Sequence, residues 1–355
     1  DVVLWEFTDE DDISPNPSLT DPFGAPVKDL GYALSLPSLA MSNVPDTDGN
    51  EWVAIFGNGP NSTAGVAKLF VLFMDRGLDG WDPGDFIKLD TGRGVPVAPD
   101  QLAGYPNGLG APTLVDTDLN GTVDWVYAGD RLGNLYRFDL CDRDTVTQEC
   151  SANPGDWTVT RLFTATYDEG GIERLQPILS QPLVIKHPTE DGFLVIFGTG
   201  SYMTREDADN EEIQSIYAIW DRGETSPATA QPNSKYDRLV EQTLTNIVDD
   251  SGTPVQTRRA LTSNSVIYEP DDVSTTGTYG WYIDLDMPRA TQTTSGAANP
   301  DSSGRNPPDP QFPGEKAIRR LVLRNGAIVT TTVLPSLDEF SCYGTRPGAI
   351  LVLDA

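Results

Sequence analysis

Short runs of apolar, β-forming residues, separated by glycine and proline along the whole chain, constrain its fold more than any other feature. The sequence contains 33 glycines and 28 prolines, which interrupt any long regular element. The clearest apolar runs are Trp52–Phe56, Leu69–Phe73, Leu194–Phe197 and Ala349–Leu353. No long segment keeps the 3.6-residue apolar period of a helix, and the best helical candidate is short, near residues 234–243. The sequence therefore predicts an all-β protein.

A loose repeat organises these runs. Three modules each have the pattern of a strand, a glycine-containing turn and a second strand, usually with an aspartate near the end. They are residues 52–72, 125–140 and 194–221. This pattern is typical of the middle strands of a propeller blade. The modules begin about 70 residues apart, which is longer than one ordinary blade, so other blades must diverge between them. A β-sandwich is the structural alternative, although the chain would be long for one sandwich.

Residues 116–124 have the spacing of a loop that wraps a hard divalent cation. Oxygen-bearing side chains stand at loop positions 1, 3, 5 and 9, namely Asp116, Asp118, Asn120 and Asp124. Alternate side chains turn to one centre, Thr122 at position 7 offers its backbone carbonyl, and glycine at position 6 takes a sharp bend. Three carboxylates and an amide suit Ca²⁺ and do not suit a soft metal. We therefore predict a calcium site with these five residues as ligands.

The loop differs from an EF-hand. It runs directly into the strand-like segment Trp125–Ala128, and position 12 is Tyr127 where an EF-hand has glutamate. The alternative is a plain Asn-Gly turn without an ion. Such a turn does not need aspartate at positions 1, 3 and 9, where like charges repel each other. The spacing thus favours a calcium loop held between two strands.

Other acidic clusters are weaker candidates for a second ion. They are Asp46/Asp48/Asn50, Asp79/Asp82/Asp85 and Asp207/Asp209/Glu211. The first begins the same pattern, but its glycine falls at position 4 and position 9 is Ala54. We interpret the first as a solvated turn and the third as an exposed acidic loop, and the second is a weaker candidate than the first.

Charge and hydropathy exclude several classes of partner. The formal net charge is -29, from 53 acidic and 24 basic residues. Such a chain repels phosphate, which argues against a nucleic acid or an anionic membrane as partner. No apolar stretch reaches about 18 residues, so no segment is predicted to span a membrane. The chain opens without a signal peptide, and we expect an excised or processed domain.

The cysteines indicate an oxidising compartment. Cys141 and Cys150 flank a polar run and fit a disulfide at the tip of a hairpin; two free thiols are the alternative. Cys342 is left over, either as a free thiol or with a partner outside this chain.

Residues 125–140 closely resemble the "YAGD-x-x-G-N-x-W-R-F-D-L" motif of the PilY-type C-terminal domain of bacterial type IV pilus systems. One departure is clear, because Tyr136 stands where the motif has tryptophan. Further segments agree in order, namely Val3–Phe7, Asp29–Tyr32, Ile196–Tyr202, Ile216–Asp221, Gly280–Leu285, Gly314–Lys316 and Pro335–Cys342. The resemblance covers nearly the whole chain.

This resemblance implies a modified, quinoprotein-like β-propeller with long surface loops, which we expect to be one seven-bladed domain over residues 1–355, without the family's N-terminal region. It implies Ca²⁺ in the loop of residues 116–124. It also implies a role in pilus biogenesis, in the balance between pilus extension and retraction, in twitching motility and in surface adhesion. The implied partners are minor pilins or other pilus proteins, and host or abiotic surfaces. The implied location is the pilus tip or outer membrane of a Gram-negative bacterium, reached through the periplasm.

Two other functions compete with this interpretation. One is a free-standing adhesin or lectin-like module in which calcium is purely structural. The other is a quinone-dependent dehydrogenase, but such enzymes usually stack the cofactor against adjacent cysteines, and this chain has none. His187 is the only histidine and is expected to be an ordinary loop residue, so we predict no enzymatic activity. Five strand tryptophans, Trp5, Trp52, Trp125, Trp220 and Trp281, are expected to pack between blades.

Overall fold

The computed structural model of the chain describes most of its length. The described residues are 5–12, 26–33, 35–47, 49–94, 106–144, 146–147, 149–223, 235–236, 239–249, 256–268, 278–285, 314–335, 345–346 and 348–354. Within them the only α-helix is α1, Arg205–Asp209, and a 3-10 helix covers Pro154–Asp156. No helix of this described part is long and apolar enough to cross a membrane.

The remaining regular structure is β-strand, so the prediction of an all-β protein is confirmed. The strands are β1 (Ser38–Asp46), β2 (Gly49–Gly57), β3 (Lys68–Phe73), β4 (Phe86–Asp90), β5 (Thr113–Val115), β6 (Trp125–Gly129), β7 (Asn134–Asp139), β8 (Thr158–Thr164), β9 (Thr166–Glu169), β10 (Ile172–Leu175), β11 (Leu183–Lys186), β12 (Phe193–Gly198), β13 (Ser215–Asp221), β14 (Leu239–Glu241), β15 (Leu244–Asp249), β16 (Gln256–Leu261), β17 (Gly280–Asp284), β18 (Val322–Arg324), β19 (Ala327–Thr331), β20 (Leu334–Pro335), β21 (Thr345–Arg346) and β22 (Ile350–Asp354).

The strands form a series of small, mostly antiparallel sheets. Strands β1 to β4 and strands β5 to β8 each make a four-stranded meander in chain order. A third sheet has the order β11-β12-β13-β17-β14, and a fourth has the order β18-β19-β22. The three sequence modules are the hairpins β2–β3, β6–β7 and β12–β13, each paired antiparallel. The repeat in the sequence therefore marks the middle strands of three successive sheets, while the number of blades stays a prediction.

The helical candidate at residues 234–243 is wrong. Among its described residues, Leu239–Glu241 form β14, which pairs in parallel with β17. The segment is too short to gain much from helical hydrogen bonds, and pairing at the edge of the third sheet satisfies its backbone instead.

The sheets stack face to face, and the core lies between them. Val53 and Val71 of the first sheet pack in one buried cluster with Val126 and Phe138 of the second. The opposite face of the second sheet packs in the same way against the third, and the third packs against the fourth. Because each middle strand is covered on both faces, its apolar residues form continuous runs rather than an alternation.

The first strand of each module ends in glycine because atoms of the neighbouring blade lie against the backbone at that position. A Cβ at Gly57 would lie 2.2 Å from the Gly110 carbonyl oxygen, and one at Gly129 would lie 2.2 Å from a methyl carbon of Ile178. Gly198 in the third module meets the same limit. These glycines are therefore required by close packing between successive blades rather than by a turn.

The tryptophans only partly follow the prediction of interblade packing. Trp125 of β6 packs edge to face on Phe193 of β12, with ring centroids 5.7 Å apart, and Trp220 is buried in the core. Trp5 packs on Trp81 beside the first sheet. Trp52 contradicts the prediction, since 49% of it is exposed.

Several predictions fall on residues that the structure does not describe. Residues 290–314 are rich in Thr, Ser, Gly, Asn and Pro, which predicts a long surface loop, but of them only Gly314 is described. Cys342 and Asp48 also lie outside the described residues. These stay predictions.

Candidate metal site

The loop of residues 116–124 connects the first two strands of the second sheet, β5 and β6. Its end is fixed by backbone hydrogen bonds, from Asp124 N to the Val115 carbonyl at 3.0 Å and from Leu140 N to the Asp124 carbonyl at 2.7 Å. Val123 N also donates to the carbonyl of Met41 in β1, at 2.8 Å. The loop is thus anchored to its own sheet and to the preceding one.

Asp116, at position 1, organises the first half of the loop. Its carboxylate accepts backbone hydrogen bonds from Leu119 N at 2.6 Å and Gly121 N at 2.8 Å, and a longer one from Asn120 N. Desolvation alone would raise the pKa of Asp116, but these three N–H groups outweigh it and hold the pKa below its ordinary value. Leu119 and Gly121 take positive φ angles of 63° and 97°, which turn the backbone around this carboxylate.

Asp124, at position 9, is completely buried. One carboxylate oxygen accepts hydrogen bonds from the backbone N–H of Thr117, at 2.8 Å, and from its hydroxyl. The other accepts from the side-chain amide of Asn43, at 3.2 Å. These contacts fix the carboxylate so that it faces the loop.

Asn120 and Thr122 are joined to each other. The amide oxygen of Asn120 accepts from Thr122 N at 2.8 Å, and the Thr122 hydroxyl lies within hydrogen-bond reach of both Asn120 and Asn43. Asn43, which sequence reasoning missed, therefore binds two loop positions from the neighbouring sheet. It precedes Asp124 by 81 positions, and no local pattern indicates it.

The structure brings three of the five predicted ligands together. Oxygen atoms of Asp116, Asp118 and Asp124 all lie within 4.8 Å of one another. Converging carboxylate oxygens, one of them from a buried side chain, are a donor set suited to a hard cation. The residues present therefore fit Ca²⁺, with Asn120 and the Thr122 carbonyl as the predicted remaining ligands.

A disulfide-closed loop lies beside this cluster. The predicted Cys141–Cys150 bond is confirmed, with an S–S distance of 2.00 Å. Cys150 Sγ lies 3.6 Å from a carboxylate oxygen of Asp124, a packing contact because a disulfide sulfur carries no hydrogen. Within the loop, Arg143 Nη2 lies 3.0 Å from Asp118 Oδ2 and 3.4 Å from Asp124 Oδ2. Sequence reasoning gave Arg143 no role, although its place between the two cysteines was visible.

The weaker acidic clusters do not converge in the part of the chain that is described. Asp46 accepts a bond from Thr47 N at 2.6 Å in the exposed turn after β1. Asp85 likewise accepts from Asp82 N, at 2.7 Å, in a turn. The third cluster is not simply an exposed loop, because Asp207 belongs to α1 and completes a capping box with Thr204.

His187 lies in the turn after β11, as expected, and its side chain is buried. Its Nδ1 accepts hydrogen bonds from Thr189 N at 3.2 Å and Glu190 N at 2.9 Å. The ring packs edge to face on Tyr268, with centroids 4.3 Å apart. The residue therefore holds a turn.

The stacked sheets define a β-propeller domain, and the acidic loop between β5 and β6 is its candidate cation site. The family model of the PilY1 β-propeller domain matches residues 24–254, and the chain belongs to this family. The resemblance to a PilY-type C-terminal domain is thereby confirmed.

Individual relatives agree with this assignment. The chain is 32% identical over 275 residues to the type IV pilus biogenesis factor PilY1 of Pseudomonas aeruginosa. This alignment covers 72% of this chain and 21% of that protein. It is 29% identical over 354 residues to a PilY1 homolog of Xylella fastidiosa, covering 99% of this chain and 20% of that protein. The crystal structure of the P. aeruginosa PilY1 C-terminal domain matches with a TM-score of 0.65 and 26% identity, over 92% of this chain and 59% of that one. The chain thus spans about a fifth of the length of these curated relatives.

Proposed function

We propose that this β-propeller domain binds one Ca²⁺ ion through the loop of residues 116–124. The ligands are the side chains of Asp116, Asp118, Asn120 and Asp124 and the backbone carbonyl of Thr122. The observation that carries the proposal is the convergence of three carboxylates within 4.8 Å, with Asp124 completely buried. Such a cluster is unfavourable without a compensating cation, because like charges repel and one of them is desolvated.

The expected affinity is moderate. The loop has three carboxylates and no bidentate glutamate at position 12, which suggests a Kd of roughly 10⁻⁶ to 10⁻³ M. The backbone donors around Asp116 and the bonds to Asp124 already hold two carboxylates in place, which reduces the ordering that binding requires.

The proposed biological role follows from the relatives, which are named type IV pilus biogenesis factors. We expect the domain to act, within a longer protein, in pilus biogenesis and in the balance of extension against retraction, and so in twitching motility and adhesion. It would act through contacts with minor pilins, other pilus proteins or surfaces, at the pilus tip or cell surface after export. We expect no catalysis.

Calcium titration of chelator-treated protein by isothermal calorimetry tests the site. Asp118→Asn removes the charge of an exposed ligand, so we expect strongly weakened binding with the fold intact. Asp124→Asn should weaken binding further, because it changes the buried ligand. Asp82→Asn, in an exposed acidic turn elsewhere, is the matched control and should bind as the wild type does. Wild-type affinity in both loop variants would place the ion elsewhere.

Deletion of the domain in its host tests the cellular role. Loss of surface pili would support a role in biogenesis, and Asp118→Asn should then make piliation less dependent on calcium. Normal pili combined with poor attachment would favour a free-standing adhesive module instead.

A further inference from the structure

The carboxylates of the candidate calcium loop already hold a cation that belongs to the chain. The guanidinium of Arg143 reaches Asp118 at 3.0 Å and Asp124 at 3.4 Å, using one nitrogen, Nη2, for both. The Arg143 side chain is 27% exposed, whereas that of Asp124 is fully buried. The Arg143 guanidinium thus lies at the solvent-facing side of the cluster and contacts two of its three carboxylates.

The chain builds this position by several independent contacts. Cys141 N and Asp142 N both donate to Asp139 Oδ1 at 3.0 Å, which fixes the exit from β7. Asp142 takes a left-handed φ of 41°, which a non-glycine residue rarely adopts. This turn, closed by the bond from Cys141 to Cys150, directs the next residue, Arg143, back toward the acidic loop.

Arg143 and a divalent cation compete for the same two carboxylates. The guanidinium lies on Oδ2 of Asp118 and Oδ2 of Asp124, and both residues are proposed ligands. A carboxylate that coordinates a divalent ion has its charge neutralised, and the nearby ion repels a guanidinium at the same oxygens. Binding of one cation at these carboxylates therefore weakens binding of the other.

We propose that Arg143 is a tethered counter-cation of the loop, which lowers its calcium affinity and links ion binding to the position of the disulfide-closed loop. This inference rests on the proposed calcium function. Arg143 neutralises Asp118 and Asp124 while no divalent ion is bound, and it withdraws when one is coordinated. Because Arg143 is attached to a cyclised segment, its withdrawal shifts that segment as well.

Apart from Arg143, the described residues between the two cysteines are exposed, and they bond to one another. Asp144 Oδ1 accepts hydrogen bonds from Val146 N at 2.8 Å and Thr147 N at 2.7 Å, and Asp144 N donates to the Glu149 carbonyl at 2.9 Å. Val146 is 86% exposed. Displacement of these residues would change the surface that the second sheet presents to a protein partner.

Calcium calorimetry on the whole domain tests the proposal, with Arg143→Ala compared with the wild type. Because two partly exposed ion pairs are lost, we expect Arg143→Ala to bind calcium about two- to thirtyfold more tightly. Arg174→Ala is the matched control, since it removes an arginine of similar exposure, 2.8 Å from Glu169, in a different hairpin. Hydrogen exchange of residues 141–150, measured with and without calcium, is the second readout. It should change in the wild type and much less in Arg143→Ala.

Each outcome decides one question. If the wild type binds no calcium, the proposed function fails. If the wild type binds and Arg143→Ala binds equally or more weakly, the counter-cation is wrong and the calcium site stands. An equal gain in calcium affinity in Arg143→Ala and Arg174→Ala would show that the gain comes only from the change in net charge. This result would also overturn the proposal. Unchanged hydrogen exchange in the wild type would remove the link to the disulfide-closed loop.

Discussion

At the scale of single residues, a buried ion pair joins the second and third sheets. Arg137 of β7 and Asp221 of β13 are both about 1% exposed, with Nη1 and Oδ1 2.7 Å apart. The hydroxyl of Tyr127 donates to the other carboxylate oxygen at 2.8 Å, and the Trp125 ring lies 4.6 Å from the guanidinium carbon. The pair is thus desolvated and enclosed by hydrogen-bonding and cation–π partners.

Removal of one partner should be costly. In Asp221→Ala the Arg137 guanidinium stays buried without its counter-charge, so we expect the free energy of unfolding to fall by about 3–5 kcal/mol. Urea denaturation monitored by tryptophan fluorescence measures this change. Glu169→Ala breaks an exposed pair with Arg174 and should cost about 0.2–1 kcal/mol. Equal losses in the two variants would show that the buried pair has no special role between the sheets.

At the scale of elements, the hairpin of β11 and β12 depends on an uncharged histidine. Nδ1 of His187 can accept from Thr189 N and Glu190 N only while it carries no proton. Desolvation lowers the pKa of His187, and the nearby Glu190 offsets this only in part. The turn is therefore built for the neutral ring.

Stability should fall at mildly acidic pH because of this residue. Since the pKa is lower in the folded state, the unfolded chain binds more protons near and below the ordinary value of 6.5. The contribution of the neutral ring to the free energy of unfolding is complete above pH 6.5, and it is lost as the pH falls from there through the lower pKa of the folded state. Urea denaturation between about pH 8 and pH 5 should give a shallower loss of stability in His187→Asn than in the wild type. Identical pH profiles would contradict the assignment, since the carboxylates are common to both proteins.

At the scale of the whole molecule, acidity and calcium act together. With a formal net charge of -29, the folded domain repels itself, and any salt reduces that repulsion. Site-specific binding must therefore be separated from general screening.

Calcium at about 100 times its Kd should raise the free energy of unfolding by about 2.7 kcal/mol, through mass action on the folded state. Thermal or urea unfolding in calcium and in sodium chloride of equal ionic strength measures the specific part. Asp118→Asn should keep the response to sodium and lose most of the extra response to calcium. The same calcium-specific gain in that variant would assign the stabilisation to other acidic groups.

Local patterns in the chain were enough for the β-strands, the repeated hairpins, the Cys141–Cys150 bond and the spacing of the acidic loop. Each depends on residues a few positions apart, where strand alternation and loop geometry fix which side chains meet. Contacts between distant residues depended on the packing of the blades. Asn43 lies beside Asp124, Arg137 pairs with Asp221 at a separation of 84 positions, and His187 is buried. Apolar runs in the sequence show that both faces of a sheet must be buried. They do not show which polar side chains meet between two sheets, because that depends on how the blades are stacked.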